Sequence, residues 1–298
     1  MNPVNSRQSY FYAILAILFW STIPTAFKIC LGELDILPML TVSAFTSATA
    51  LFTILAAEGK ITLIRKSTGK QLLGSAILGF INPFVYYIIL LRAYQLLPAQ
   101  VAQPLNMIWP IILVFLSVPL LGQKIKNRSF LALFISFAGV YIISSRGNLF
   151  HPGHSDIKGV LLATGSSVFW AFYFILNVRD KRDEAVKLFL NFLFGFIYLF
   201  LTLIITEGLQ TVNYGIKGII SAVYIGLFEM GITFLFWLKA LQRSPSADKV
   251  SNLVYIAPFL SLIFVHFILH EPVYYTTPVG LLFIVSGIWY QNYKPSGT

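Results

Sequence analysis

The chain has 298 residues, of which 57% are hydrophobic and only 11% charged, and its mean hydropathy is +0.78. An average soluble domain carries about 25% charged residues, and a water-exposed surface this apolar would aggregate. The same composition excludes a disordered chain, which leaves a polytopic membrane protein.

Ten long apolar runs follow one another, at residues 11–30, 36–57, 71–92, 99–121, 128–145, 157–178, 186–206, 217–239, 249–269 and 274–291. A membrane helix takes about 20 such residues, so ten helices leave only short connections and no extramembrane domain. The runs are continuous rather than alternating, which excludes a transmembrane barrel. The second run is softened by Thr and Ser, and the tenth is short. The first is too long for the core of a cleavable signal and is predicted to remain as a helix. The single cysteine, Cys30, excludes an internal disulfide and a cysteine metal cluster. The sequence therefore predicts an all-α polytopic membrane protein with ten transmembrane helices.

Lysine and arginine set the orientation. With the N-terminus inside, the cytoplasmic segments hold sixteen of them and the outer segments three, Arg146, Lys158 and Lys217. Lys28 and Arg92 fall at outer helix ends, where long basic side chains snorkel. Both termini are thus predicted to be cytoplasmic. The net charge of +10 reads as topology, with membrane lipid as the partner and no nucleic acid.

The two halves of the chain resemble each other. Phe19-Trp20 recurs as Phe169-Trp170. Gly79, Asn82, Ala93, Gln95 and Pro98 recur, 147 residues on, as Gly226, Glu229, Ala240, Gln242 and Pro245; Pro110 and Gly139 recur, 148 on, as Pro258 and Gly287. Residues 1–147 and 148–298 are read as two five-helix repeats. An odd number of crossings inverts the second against the first, an arrangement suited to alternating access around a midplane site.

Glu229 is the one carboxylate near the middle of a predicted span, where an ionised acid is costly. It is a candidate for carrying a coupling proton or pairing with a substrate ammonium; the alternative is a protonated acid bonded to a neighbouring helix. Asn82 matches it in the other repeat, and Pro83 removes a backbone donor there. In the fourth run Gln100, Gln103 and Asn106 share a slowly drifting face, with Trp109 and Pro110 beyond them. Such a face either lines a cavity or packs on another helix. Asn252, Tyr255 and Pro258 give the ninth run a similar pattern. Trp20 and Trp170 sit away from span ends and are cavity walls or packing residues; Tyr86, Tyr87, Tyr173 and Trp237 would widen an aromatic lining. Pro83, Pro110 and Pro258 are candidate hinges. Small residues of the fifth and tenth runs (Ala132, Ser136, Gly139, Gly280, Gly287) permit close packing or a homodimer. No catalytic or metal constellation and no Walker motif appears, so no cofactor is expected and transport would run on a gradient or on exchange.

The FWST of 19–22, LNMIWPIILVFLSVPLLGQK of 105–124, FWAFYFI of 169–175 and VSNLVYIAPFLSLI of 250–263 resemble the EamA family of the drug/metabolite transporter superfamily. Asn106, Trp109 and Pro110, followed by Gly122-Gln123-Lys124, resemble the YddG-type exporters of aromatic amino acids. Gln123 stands where the family commonly has a glutamate, and Glu271 occupies the matching place in the ninth run. The resemblance implies a secondary carrier of the cell inner (plasma) membrane. It would have a central cavity and peripheral fifth and tenth helices, and would move a small-molecule substrate, with protons as a possible partner. Amino-acid export is the leading expectation. A carrier for a drug, an organic cation or a nucleotide-linked metabolite is the alternative.

Overall fold

The computed structural model describes residues 6–122, 127–149, 155–206, 208, 215–244 and 252–292. The described residues contain helices and no strand. The first helices are α1 (Ser6–Leu31), α2 (Ile36–Ala57), α3 (Ile61–Arg65), α4 (Gly69–Gly79), α5 (Tyr86–Leu96), α6 (Ala99–Asn106) and α7 (Trp109–Leu121). They are followed by α8 (Asn127–Ser144), α9 (Ile157–Arg179), α10 (Glu184–Thr206), α11 (Ile216–Phe228), α12 (Ile232–Arg243), α13 (Ala257–Leu269) and α14 (Thr276–Asn292). Each of the ten apolar runs is mostly helical over its described residues.

Among the described residues seven stretches are long and apolar enough to cross a membrane: Ser6–Leu31, Ile36–Ala57, Gly69–Leu96, Ala99–Leu120, Ile157–Arg179, Glu184–Thr206 and Ile216–Leu241. Three shorter apolar helices cover Ser129–Ser144, Leu253–Leu269 and Thr276–Tyr290. Large apolar side chains point outward, with Phe134 73%, Ile205 80% and Phe267 70% exposed. Water would not tolerate such a surface, and lipid does.

Four of the runs are interrupted. A six-residue π segment, Phe80–Val85, separates α4 from α5; within it Asn82 is extended (φ −144°, ψ 117°) and the Asn82-Pro83 peptide is cis. Met107 and Ile108 separate α6 from α7, which has Pro110 in its first turn. Glu229, Met230 and Gly231 separate α11 from α12. A 3-10 turn, Asn252–Ile256, precedes α13, whose second residue is Pro258.

The chain divides into two compact units, each drawing on both halves of the sequence: Met1–Ile88 with Asn177–Leu269, and Ile89–Leu176 with His270–Thr298. In the first unit α1 packs on α11, α12 and α13, and α2 on α10 and α11. Buried hydroxyls are satisfied by backbone carbonyls across helices: Ser9 Oγ donates to Ala240 O (2.7 Å), Ser43 Oγ to Ala222 O (2.8 Å) and Ser47 Oγ to Met230 O (2.9 Å). Without water to compensate, such groups need partners inside the protein. Gly79 of α4 lies against α10, where a Cβ would overlap Asn191 O and come within 3.0 Å of Phe194 Cβ. Gly226 of α11 lies against α2, where a Cβ would overlap Ser43 O and come within 2.8 Å of Thr46 Cβ. Both glycines are there because two backbones touch.

In the second unit α8 packs along α14. A Cβ on Gly139 would come 2.5 Å from Gly280 O, and one on Gly280 would come 2.6 Å from Gly139 O. The small residues that permit either close packing or a homodimer are used for packing within the chain. Glu271 caps α6, accepting from Ala99 N (3.1 Å) and Gln100 N (3.4 Å). The Gln100 amide donates to Pro272 O and accepts from Tyr274 N (3.1 Å) and Thr277 Oγ1 (3.3 Å).

Candidate functional site

In the first unit the polar groups gather at two helix breaks. At 229–231 the helix stops, and Ser47 donates to the Met230 carbonyl that the break frees. Glu229 is half-buried there, and its Oε1 accepts from the hydroxyl of fully buried Tyr87 at 2.9 Å. Tyr86 packs edge-on against Tyr87, 4.7 Å between ring centres, and Phe27 of α1 lies 6.2 Å from the Tyr87 ring. A carboxylate whose one donor among the described residues is neutral exchanges protons or accepts a cation without first breaking a salt bridge.

The other break holds Asn82. It is 1% exposed, yet neither its Oδ1 nor its Nδ2 has a hydrogen-bond partner among the described residues. A buried amide left unpaired costs about 1–3 kcal/mol, so it is a feature that calls for a role. Pro83 beside it packs into the space left by Gly195, where a Cβ would overlap the proline ring.

Trp20 stands among aromatics of α12, 5.6 Å from the Phe234 ring and 5.6 Å from Trp237. Thr22 and Tyr224 share a hydrogen bond of 2.6 Å. Tyr255 is half-buried in the 3-10 turn. Asn252 begins that turn, but its side chain lies outside the described residues, as do Gln123, Asp248 and Lys249.

In the second unit the break between α6 and α7 has an identifiable cause. The carbonyl of Asn106 would bond the amide of residue 110, which is proline and has no N–H. Ser167 Oγ takes that place, donating to Asn106 O at 2.8 Å, while Asn106 Nδ2 donates to Ser166 Oγ at 2.7 Å. Trp109 faces Trp170 edge-on at 6.3 Å and lies 5.6 Å from Phe174; Trp170 lies 5.7 Å from Tyr173. An amide and an aromatic wall therefore stand side by side. Gln103 is half-buried on the same helix, whereas Gln100 is bound to the 272–277 segment.

Composition and spacing pointed to Glu229, Asn82, Asn106 and the tryptophans. They did not single out Tyr87 as the partner of Glu229, nor Ser166 and Ser167. A serine in an apolar run gives little signal, although both sit within four residues of Trp170. Among the described residues no group of three or more His, Cys, Asp or Glu is placed to hold a metal.

Apolar helices of spanning length, broken where buried polar side chains sit, are the construction of a membrane solute carrier. The chain belongs to the EamA-like transporter family, whose sequence profile matches residues 7–145 and again 157–293. It is a multi-pass inner-membrane transporter. The uncharacterized transporter YvbV of Bacillus subtilis is 28% identical over 260 residues, covering 86% of this chain and 83% of its own. An uncharacterized transporter of Clostridium kluyveri is 23% identical over 287 residues, 94% of this chain and 92% of its own. The aromatic amino acid exporter YddG of Ancylobacter novellus is 24% identical over 251 residues, 83% of each chain. A solved crystal structure superposes with a TM-score of 0.67 at 19% identity, covering 97% of each chain, a likeness of fold.

Proposed function

We propose that this chain is a secondary transporter that exports amino acids, aromatic or otherwise apolar, by alternating access. The observation that carries the reading is the Tyr87–Glu229 pair, a lone acid with a neutral partner at the break of a spanning helix. Such an acid suits a proton or the ammonium of a zwitterion. The cluster of Asn106 with Trp109 and Trp170 offers an amide and aromatic faces, the surface an aromatic side chain requires. The relative named an aromatic amino acid exporter supports the same substrate class.

We further read the ten helices as ten crossings with both termini inside, in two inverted repeats, 1–147 and 148–298. The packing supports this. Gly79 on Asn191 and Phe194 becomes, on moving each residue by 147 or 148 positions, Gly226 on Ser43 and Thr46. The contact of Gly139 with Gly280 becomes that of Gly287 with Ala132, whose carbonyl lies 2.8 Å from a Cβ built on Gly287. Ser136 donates to Ile284 O at 3.5 Å, and the shift of 148 maps the pair onto itself. Such reciprocity is the mark of a two-fold contact. The breaks beside Pro83, Pro110 and Pro258 are then the hinges, and no catalytic residue is needed.

Proteoliposomes loaded with radiolabelled phenylalanine, tyrosine, tryptophan, leucine or isoleucine test the reading, with and without a proton gradient. Flux above empty vesicles for at least one aromatic substrate is expected. A panel that gives none refutes the substrate class.

A further inference from the structure

A cavity of about 310 Å³ opens in the first unit at the ends of α2 and α12 and the start of α10. Its charged lining is mixed, and pairing sorts it. Lys60 Nζ holds Glu58 at 2.7 Å and Asp183 at 3.0 Å, and these two carboxylates keep its ammonium above the usual lysine range. Glu184 is taken by Lys187 at 2.7 Å. Arg182, also in the lining, is held by Asp180 through Nε at 2.9 Å and by Ser75 at 2.7 Å. Each lining acid therefore has an ammonium partner, although Glu58 and Asp183 share the one of Lys60. Lys181 and Lys239 remain: both line the cavity, and neither has a carboxylate partner among the described residues.

The rest of the lining is apolar. Ile54 belongs to the last turn of α2, and Leu235 lies one turn from Lys239 on α12. Beyond Lys60 the short helix α3 has no buried residue, and its Leu63 is 36% exposed beside exposed Arg65 and Lys66. The cavity thus stands where spanning helices end, with apolar walls, two ammonium groups that have no carboxylate partner among the described residues, and a basic, partly apolar rim.

We propose that this cavity binds a phosphate-bearing anion through Lys181 and Lys239, and that the group it takes is the headgroup phosphate of an anionic membrane lipid. Basic pockets at helix ends collect such headgroups. The lysines meet the phosphate as point charges, while Ile54 and Leu235 meet the glycerol and the first acyl carbons. Free phosphate shares the charge but gains nothing from the apolar wall. The proposal is independent of which solute the carrier moves.

The test uses the purified full-length protein in a neutral detergent. The thermal midpoint is read with added phosphatidylglycerol, with phosphatidylcholine, and with sodium phosphate at matched ionic strength. Phosphatidylglycerol is expected to raise the midpoint of the wild type by about 3–5 °C, as a ligand near a hundredfold over its dissociation constant does. Phosphatidylcholine leaves it unchanged. The K181Q/K239Q variant loses at least half of the rise, and each single variant loses part of it. Lys217→Gln removes an exposed lysine paired with Glu33 and keeps the whole rise. An equal rise with sodium phosphate keeps the anion site and overturns the lipid as its source. A full rise in K181Q/K239Q, or the same rise with phosphatidylcholine, overturns the site.

Discussion

Two of the helix breaks in the first unit, at 80–85 and at 229–231, hold polar residues 147 positions apart, Asn82 and Glu229, and they differ in chemistry. At 80–85 the interruption is made by Pro83, which has no donor, and the polar residue is the neutral Asn82, whose amide has no hydrogen-bond partner among the described residues. At 229–231 there is no proline. Gly231 (φ −124°, ψ −98°) provides the bend, Ser47 closes the freed carbonyl, and the polar residue is Glu229, bound by Tyr87. The flanking packing is the same in both, a glycine against a neighbouring backbone. Packing of this kind tolerates little change, while a polar residue at a break changes without moving the frame. The difference places the ionisable group at one of the two breaks.

If that division is functional, removing the acid has the largest effect. Glu229→Gln keeps the shape and an acceptor for Tyr87, so the protein should fold with a nearly unchanged thermal midpoint. Export flux in proteoliposomes should fall about 10–100-fold, a loss of about 1.4–2.7 kcal/mol, or should lose its dependence on a proton gradient. Wild-type flux with wild-type gradient dependence in this variant would remove Glu229 from the mechanism and make the two breaks equivalent.

The shared packing is tested next. Gly79→Ala and Gly226→Ala each force a methyl into a backbone contact, and overpacking of this kind costs about 1–3 kcal/mol. Thermal unfolding should show similar losses for the two. A loss at one position alone would break the structural equivalence of the breaks.

Much of this frame is legible in the sequence, because it is written in strong signals. Ten runs of lipid-compatible length stand out from composition alone, and Pro83, Pro110 and Pro258 mark three of the four interruptions. The fourth carries no proline; its cue is Gly231 beside an acid that a continuous apolar helix would not carry. The partners were harder to see. Tyr87 is one of fifteen tyrosines, and only the approach of α5 to the 229–231 break selects it. Ser47 and Ser167 matter because each faces a carbonyl that a broken helix leaves open, a fact of backbone geometry. Gln100 shares a helical face with Gln103 and Asn106, but the 272–277 segment holds it in packing.

A smaller effect is expected at the uncharged break. Asn82→Ala removes a buried amide that has no partner among the described residues, so the variant should be more stable, by about 1 kcal/mol or a little more, and unfold at a higher temperature. If Asn82 serves substrate, the same variant should lose flux, which is the trade expected of a functional residue. A more stable variant with undiminished flux would leave the amide without a role in transport.

The smallest effect tests why the Asn82 amide has no partner among the described residues. Advancing Tyr87 by the repeat offset of 147 gives Phe234. The residue matching the hydroxyl donor of Glu229 therefore has no hydroxyl to offer Asn82. Phe234→Tyr restores the donor on a ring already seated against Trp20. If the repeats match at the level of side chains, the new hydroxyl reaches the Asn82 amide and stabilises the fold by about 0.5–1.5 kcal/mol. The gain should vanish in an Asn82→Ala background, and that cycle, rather than the single value, isolates the pair. A gain that survives the loss of Asn82, or no gain at all, would confine the correspondence to the backbone.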